Sequence, residues 1–151
     1  MFNNIQDPIN NKWYSIDSNK GKSILNKYLK INGGGNNQEQ IIYNNNGLTE
    51  FLNDTNSNKI VGFFSDFCTY CNNTKPEWNK LSRLLANNSI NVKKATIDCT
   101  LDTFQLDPIT KKYKVNAFPT IRLYKKDNKN MVEFTSERTA NNLLTFIKEN
   151  I

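Results

Sequence analysis

Apolar positions in this chain fall into a few dense runs separated by long polar stretches. KIVGFFS (59–65) is nearly continuous in apolar residues, the pattern of a strand buried on both faces. QIIY (40–43) and VKKATID (92–98) predict two further strands. TIRLYKK (120–126) and MVEFT (131–135) alternate on either side of DNKN (127–130) and predict a hairpin. Helical spacing marks LTEFL (48–52), residues 108–113, and residues 72–85 with Trp78, Leu81, Leu84 and Leu85 on one side. It also marks residues 139–151, with Leu143, Leu144, Ile147 and Ile151 directed inward. Strands alternating with helices and closed by a hairpin predict an α/β sandwich around a mixed sheet.

Residues 1 to about 38 do not share this pattern. They are polar and asparagine-rich, and NGGGNN (32–37) reads as a flexible linker. Within them SILNKYLKI (23–31) spaces Ile24, Leu25, Tyr28 and Leu29 as one face of a short helix, flanked by Lys22, Lys27 and Lys30. A membrane-surface helix and a small docking helix both fit. One short helix binds membranes weakly, which favours docking.

Composition narrows the classes. The 151 residues suffice for one domain with a modest core. The apolar share, 37%, is below the usual ~45–50% because asparagine is abundant, as in proteins from AT-rich genomes. The net charge of +6 is spread along the chain, with no arginine cluster or RNA-binding signature, so no nucleic-acid partner is indicated. No apolar run is long enough for a membrane span. The N-terminus MFNNIQDPINNKW has neither the basic nor the apolar region of a secretory signal, so a cytoplasmic location is expected.

Three cysteines remain to be explained, two of them in FFSDFCTYC (63–71). The predicted order puts Cys68 just past a buried strand, at the start of a helix, with Cys71 one turn on. Side chains at i and i+3 lie about 5–6 Å apart at Cβ, close to disulfide-forming range. Unpaired N–H groups at a helix N-terminus favour a thiolate, making Cys68 the expected nucleophile. Cys71 is placed to attack the mixed disulfide that Cys68 forms, as two-step thiol–disulfide exchange requires. One CxxC, a single further cysteine and no histidine argue against zinc, which needs four ligands. Metal ligands: none. Cys99 is expected to be a buried structural thiol.

Five segments in order then carry a resemblance. FFSDFCTYC, KPEWNKL (75–81), KKATIDCT (93–100), KYKVNAFPTIRLY (112–124) and FTSERTANNLLTFIKENI (134–151) resemble the catalytic domain of protein disulfide isomerases. The resemblance covers about residues 40–151 and implies a thioredoxin fold, a central mixed β-sheet with helices on both faces. Residues 39–151 would form this domain and 1–38 an N-terminal extension. It implies that Pro119 is a cis-proline facing the CxxC pair, and that Phe118, Thr69 and Tyr70 touch an extended substrate. It implies that Lys94 lies near a buried acid site, and that Arg138 assists the resolving thiol. A surface arginine capping the last helix fits Arg138 equally.

Several positions depart from that family. Gly62 stands where a buried Asp or Glu is usual, Phe67 where a tryptophan is usual, and Thr69-Tyr70 replaces the familiar dipeptides. From the missing acid we expect slow proton removal from Cys71 that leans on Arg138, with Asp66 as the next candidate, and faster turnover on restoring an acid at 62 at some cost in stability. A tyrosine before the second cysteine also occurs in glutaredoxins. DPINNKWYSIDSNKGKSILNKYL (7–29) further resembles, weakly, a motif recurring in proteins of large DNA viruses, which would allow packaging in a virion. The expected function is therefore a thiol–disulfide oxidoreductase acting on cysteine-containing protein substrates without an organic cofactor. It would work with a redox partner such as a reductase, glutathione or a thiol oxidase. A glutaredoxin-like reductase and a client-binding adaptor are the alternatives, and the direction of exchange stays open.

Overall fold

The structure, a computed structural model, describes residues 3–32, 39–127 and 130–151, with the backbone alone described for 26–32. The chain divides into two compact units, Met1–Gln38 and Glu39–Ile151.

In the first unit, strands β1 (Asn4–Gln6) and β2 (Trp13–Ser15) pair antiparallel and lead into helix α1 (Asn19–Asn32). The hairpin has no counterpart in the apolar pattern, because each strand is three residues long and mostly exposed. Its turn is set by Asx chemistry. Asn11 takes a left-handed φ of 58°, which asparagine tolerates, and Asp7 Oδ1 accepts from the Ile9 N–H at 3.0 Å. Gly21 lets α1 pass close to β2: a Cβ there would lie 1.8 Å from the Ser15 carbonyl oxygen. The helix predicted over 23–31 is present and starts four residues earlier, with Ile24 buried and Leu25 half-buried. The NGGGNN linker lies outside the described residues except for Asn32, the last residue of α1.

In the second unit the described residues form a five-stranded sheet in the order β3-β5-β4-β6-β7. The strands are β3 (Gln40–Ile42), β4 (Asn58–Phe64), β5 (Val92–Asp98), β6 (Thr120–Tyr124) and β7 (Met131–Glu133). The first three are mutually parallel, whereas β6 runs antiparallel to β4 and β7 antiparallel to β6. Helices α2 (Asn45–Asn53) and α4 (Ile109–Lys112) cover one face, and α3 (Thr69–Asn87) and α5 (Ala140–Asn150) the other. Alternation along β4 explains the layering. Ile60 and Phe64 pack with Trp78, Leu81 and Leu143, while Val61 and Phe63 pack with Leu48 and Ile109. This is the thioredoxin fold, with the parallel strands β3, β4 and β5 all ending at one edge of the sheet.

Three local readings change. Helix α3 begins at Thr69 rather than residue 72, because Cys68 serves as its N-cap. The alternating pattern of β6 does not mean one solvated face: Thr120 to Leu123 are all buried, Arg122 included. Its guanidinium is satisfied by Glu133 Oε2 at 3.0 Å and by the carbonyls of Tyr113 at 2.6 Å and Lys114 at 3.1 Å. At the chain's end Ile151 is 53% exposed, one residue beyond α5. No helix among the described residues is long and apolar enough to cross a membrane.

Candidate active site

Chain direction brings the thiols to the sheet edge. Strand β4 ends at Phe64, three residues carry the chain over the edge, and Cys68 caps α3. Cys68 Sγ accepts the Cys71 N–H at 3.0 Å, and the Asn72 N–H reaches the Cys68 carbonyl at 3.2 Å. A sulfur thus takes the place of the hydroxyl or carboxylate usual at an N-cap. Cys68 is half-exposed and Cys71 fully buried, and both carry free thiols. Because β6 is antiparallel to β4, the segment entering β6 arrives at the same edge. The Phe118–Pro119 peptide bond is cis, and the Cys68 thiol lies 3.4 Å from the Phe118 carbonyl oxygen, to which it donates. Phe118 is half-buried and Pro119 buried, whereas Thr69 and Tyr70 are exposed beside the thiols. Arg138 joins this cluster from the segment before α5, its Nη2 donating to the Pro119 carbonyl at 3.2 Å.

Burial first, and the hydrogen bond with Cys68 second, push the Cys71 thiol up to about 12, against the pull of a backbone hydrogen bond with Ser65 and of the Lys75 charge. Cys99 is buried at the end of β5 and is also pushed up, by burial first and then by Asp102 and Asp98. These thiols hold their protons more tightly in the folded chain than in the unfolded one. Their contribution to stability is therefore complete below the free-thiol value of 9.0 and declines as pH rises from there toward 12. The urea midpoint of the reduced protein should be lower at about pH 10 than at about pH 8, and Cys71→Ser should flatten that slope. An equally steep decline in the variant would show that other groups cause it.

Lys94 occupies a different place. It is buried between β5 and α3, its Nζ 3.2 Å from Glu39 Oε2, 3.1 Å from Ser82 Oγ and 4.5 Å from the centre of the Trp78 ring. Burial lowers its pKa, against the raising influence of Glu39. Glu39 Oε1 also accepts from Trp78 Nε1 at 3.0 Å and from the Thr96 hydroxyl. Sequence reasoning missed Glu39, because its partners lie as far as 57 residues away and no spacing rule links them. It also missed the ion pair of Asp66 and Lys75, 2.8 Å apart beside the CxxC turn. Lys75 stands one helical turn after Cys71, so helical periodicity could have found it.

Gly62 requires a correction. Its open side is filled, not vacant: a Cβ there would lie 2.4 Å from Phe64 Cε2 and 3.0 Å from Trp78 Cζ2. An acid at 62 would collide with two buried rings.

A dithiol at a helix N-terminus, facing a cis-proline across the edge of a mixed sheet, is the arrangement of the thioredoxin-fold thiol proteins. The thioredoxin family model matches residues 39–149, and the chain belongs to that family. Among curated relatives, protein disulfide-isomerase of Triticum aestivum is 26% identical over 92 residues, covering 61% of this chain and 18% of its own. Protein disulfide-isomerase of Aspergillus niger is 32% identical over 101 residues, covering 64% and 18%. This chain therefore spans less than a fifth of the length of those relatives. The first thioredoxin domain of mouse protein disulfide-isomerase A4 shares the fold, with a TM-score of 0.58 at 24% identity over 72% of each chain.

Proposed function

We propose that the protein is an enzyme of thiol–disulfide exchange on cysteine-containing protein substrates, with residues 39–151 as the catalytic domain and 1–38 as an appendage. The observation that carries this reading is the asymmetry of the pair. Cys68 is half-exposed with the Cys71 N–H aimed at its sulfur, and Cys71 is buried behind it. When the Cys68 thiolate attacks a substrate disulfide, one substrate sulfur leaves and takes a proton, and a Cys68–substrate disulfide forms. Cys71 then loses its proton and attacks Cys68 Sγ. The second substrate sulfur leaves as a thiol, and Cys68 and Cys71 are left as a disulfide. Two electrons have passed to the substrate, and the reverse sequence oxidises a dithiol. Arg138, bound to the Pro119 carbonyl, would hold the cis-proline segment against which an extended substrate strand lies. Lys94 would act at a distance, by fixing the ring of Trp78, which α3 carries, against β5. A redox partner, such as a reductase, glutathione or a thiol oxidase, would set the direction.

The test is single-turnover kinetics with a fluorescent protein disulfide. Since burial holds the proton on Cys71, the resolution step should accelerate as pH rises between about pH 6 and 8. A resolution rate flat across that range would remove Cys71 from the role.

A further inference from the structure

The resolution step asks a buried thiol to carry negative charge. Cys71 is fully buried, and burial opposes its ionisation. Position 62 brings it no carboxylate, and Phe64 and Trp78 fill the space there. The Glu39–Lys94 pair sits at Trp78, about two helical turns along α3 from Cys71. Arg138 is bound to the Pro119 carbonyl, next to the residue that the Cys68 thiol touches. Around the Cys71 thiol itself stand Cys68 Sγ, the Ser65 backbone in a hydrogen bond with it, and the cation Lys75. Cys99, with Asp98 and Asp102 beside it, faces it from the end of β5.

Two constraints place Lys75 there. Cys71 and Lys75 are four residues apart on α3, so they share a face, with Cβ atoms about 5–6 Å apart. The ammonium is then held at the redox turn by Asp66, Nζ donating to Oδ1 at 2.8 Å. Asp66 is itself anchored, its N–H donating to Thr100 Oγ1 at 3.0 Å. The short segment between β4 and Cys68 thus carries both the Ser65 backbone that meets the Cys71 sulfur and the carboxylate that fixes Lys75. Asp66, a candidate proton acceptor on the sequence, stands here as the counter-charge of Lys75.

We propose that Lys75 is a positioning residue for resolution: fixed at the redox turn by Asp66, its ammonium stabilises the negative charge that Cys71 carries as it attacks Cys68. This rests on the exchange reaction proposed above and deepens its second half. Cys71 gives its proton to solvent, and its sulfur bonds to Cys68 Sγ. The bond between Cys68 and the substrate sulfur breaks, and that sulfur leaves with the electron pair and takes a proton from solvent. Charge rests on Cys71 only in transit, and a cation one helical turn away lowers the energy of that state. Asp66 moderates the effect, because a carboxylate 2.8 Å from the ammonium cancels part of its field. The Lys75 and Asp66 side chains are 38% and 54% exposed, so solvent screens both, and the effect on the rate is severalfold rather than orders of magnitude.

The experiment follows the covalent adduct between the full chain and a fluorescent protein disulfide in single turnover, its decay being resolution. Lys75→Met keeps an unbranched side chain and removes the charge; adduct decay at about pH 7 in low salt should slow about threefold or more. Lys75→Arg, which keeps the charge, should restore the parent rate. Asp66→Asn retains an oxygen for the ammonium but not the counter-charge, and decay should quicken about twofold. In the Lys75→Met background the same asparagine should change nothing, a coupling that loss of a structural tether would not give. Raising the salt from about 0.01 M to about 1 M shortens the Debye length from about 30 Å to about 3 Å. The parent should then slow toward Lys75→Met, while that variant stays nearly constant. An unchanged decay rate in Lys75→Met, a Lys75→Arg protein as slow as Lys75→Met, or a slower Asp66→Asn protein overturns the assignment, and the last would make Asp66 the proton acceptor. Each of these leaves exchange intact, because the parent still forms and resolves its adduct. A parent that forms no adduct and reduces none of the probe overturns the exchange reading and this proposal with it.

Discussion

Replacing Cys68 by serine should abolish disulfide turnover, whereas replacing Cys71 by serine should leave the first step intact and accumulate a covalent adduct with the substrate. The two outcomes differ because the two sulfurs sit in different environments. Cys68 is half-exposed, and its sulfur accepts an N–H from the first turn of α3, so charge developing there meets a fixed donor. Cys71 is fully buried and reaches only a partner already bound to Cys68. A serine hydroxyl at 68 is a far weaker nucleophile than a thiolate, and the loss should reach at least about 10³-fold. A serine at 71 cannot displace the second substrate sulfur, so the mixed disulfide persists until an outside thiol breaks it. Non-reducing electrophoresis with a labelled protein disulfide reads both results. Adduct formation by the Cys68→Ser protein would invert the assignment, and an adduct-free Cys71→Ser protein that still turns over would require another resolving group. Cys99, buried at the end of β5, is the remaining thiol to examine in that event.

How much of this was legible beforehand follows from where the physical signal lies. The central strand β4 and the amphipathic α3 announce themselves, since burial on two faces or one leaves a run or a stripe of apolar residues. The thiol pair was equally legible, because its chemistry requires two sulfurs one helical turn apart. The start of α3 was misread because a cysteine at the N-cap breaks the usual Ser, Thr, Asp or Asn signal. The β1–β2 hairpin left no trace, because its three-residue strands bury too little to need an apolar pattern. Glu39 is the instructive omission. A carboxylate reaching Lys94, Trp78 and Thr96 on two other elements is a product of tertiary packing alone.

Position 62 is where packing overrules an expectation drawn from resemblance. Restoring an acid there should not speed the reaction; it should destabilise the domain. Gly62 pairs with Thr96 across β4 and β5, and the side of β4 turned toward α3 is occupied by Phe64 and Trp78, with ring centres 5.6 Å apart. A methyl group alone would meet Phe64 Cε2 at 2.4 Å and Phe64 Cζ at 3.1 Å. Retreat of the rings is hindered. Phe64 is almost completely buried, and Trp78 is tethered by its Nε1 to Thr96 Oγ1 at 2.7 Å and covered by Lys94. Overpacking of this kind costs about 1–3 kcal/mol, more than the ~0.4–1 kcal/mol that losing a glycine gains by restricting the unfolded chain. Gly62→Ala should therefore lower the urea midpoint with little change in slope. Gly62→Glu should lower it further, since a longer chain and a desolvated carboxylate enter the same space. Phe64→Leu supplies the decisive cycle. If the ring is the obstacle, Gly62→Ala should cost measurably less in the Phe64→Leu background than alone, a coupling of about 0.5 kcal/mol or more. Additive effects, or an alanine variant as stable as the parent, would mean that β4 accommodates the methyl by another route and would reopen position 62 to an acid.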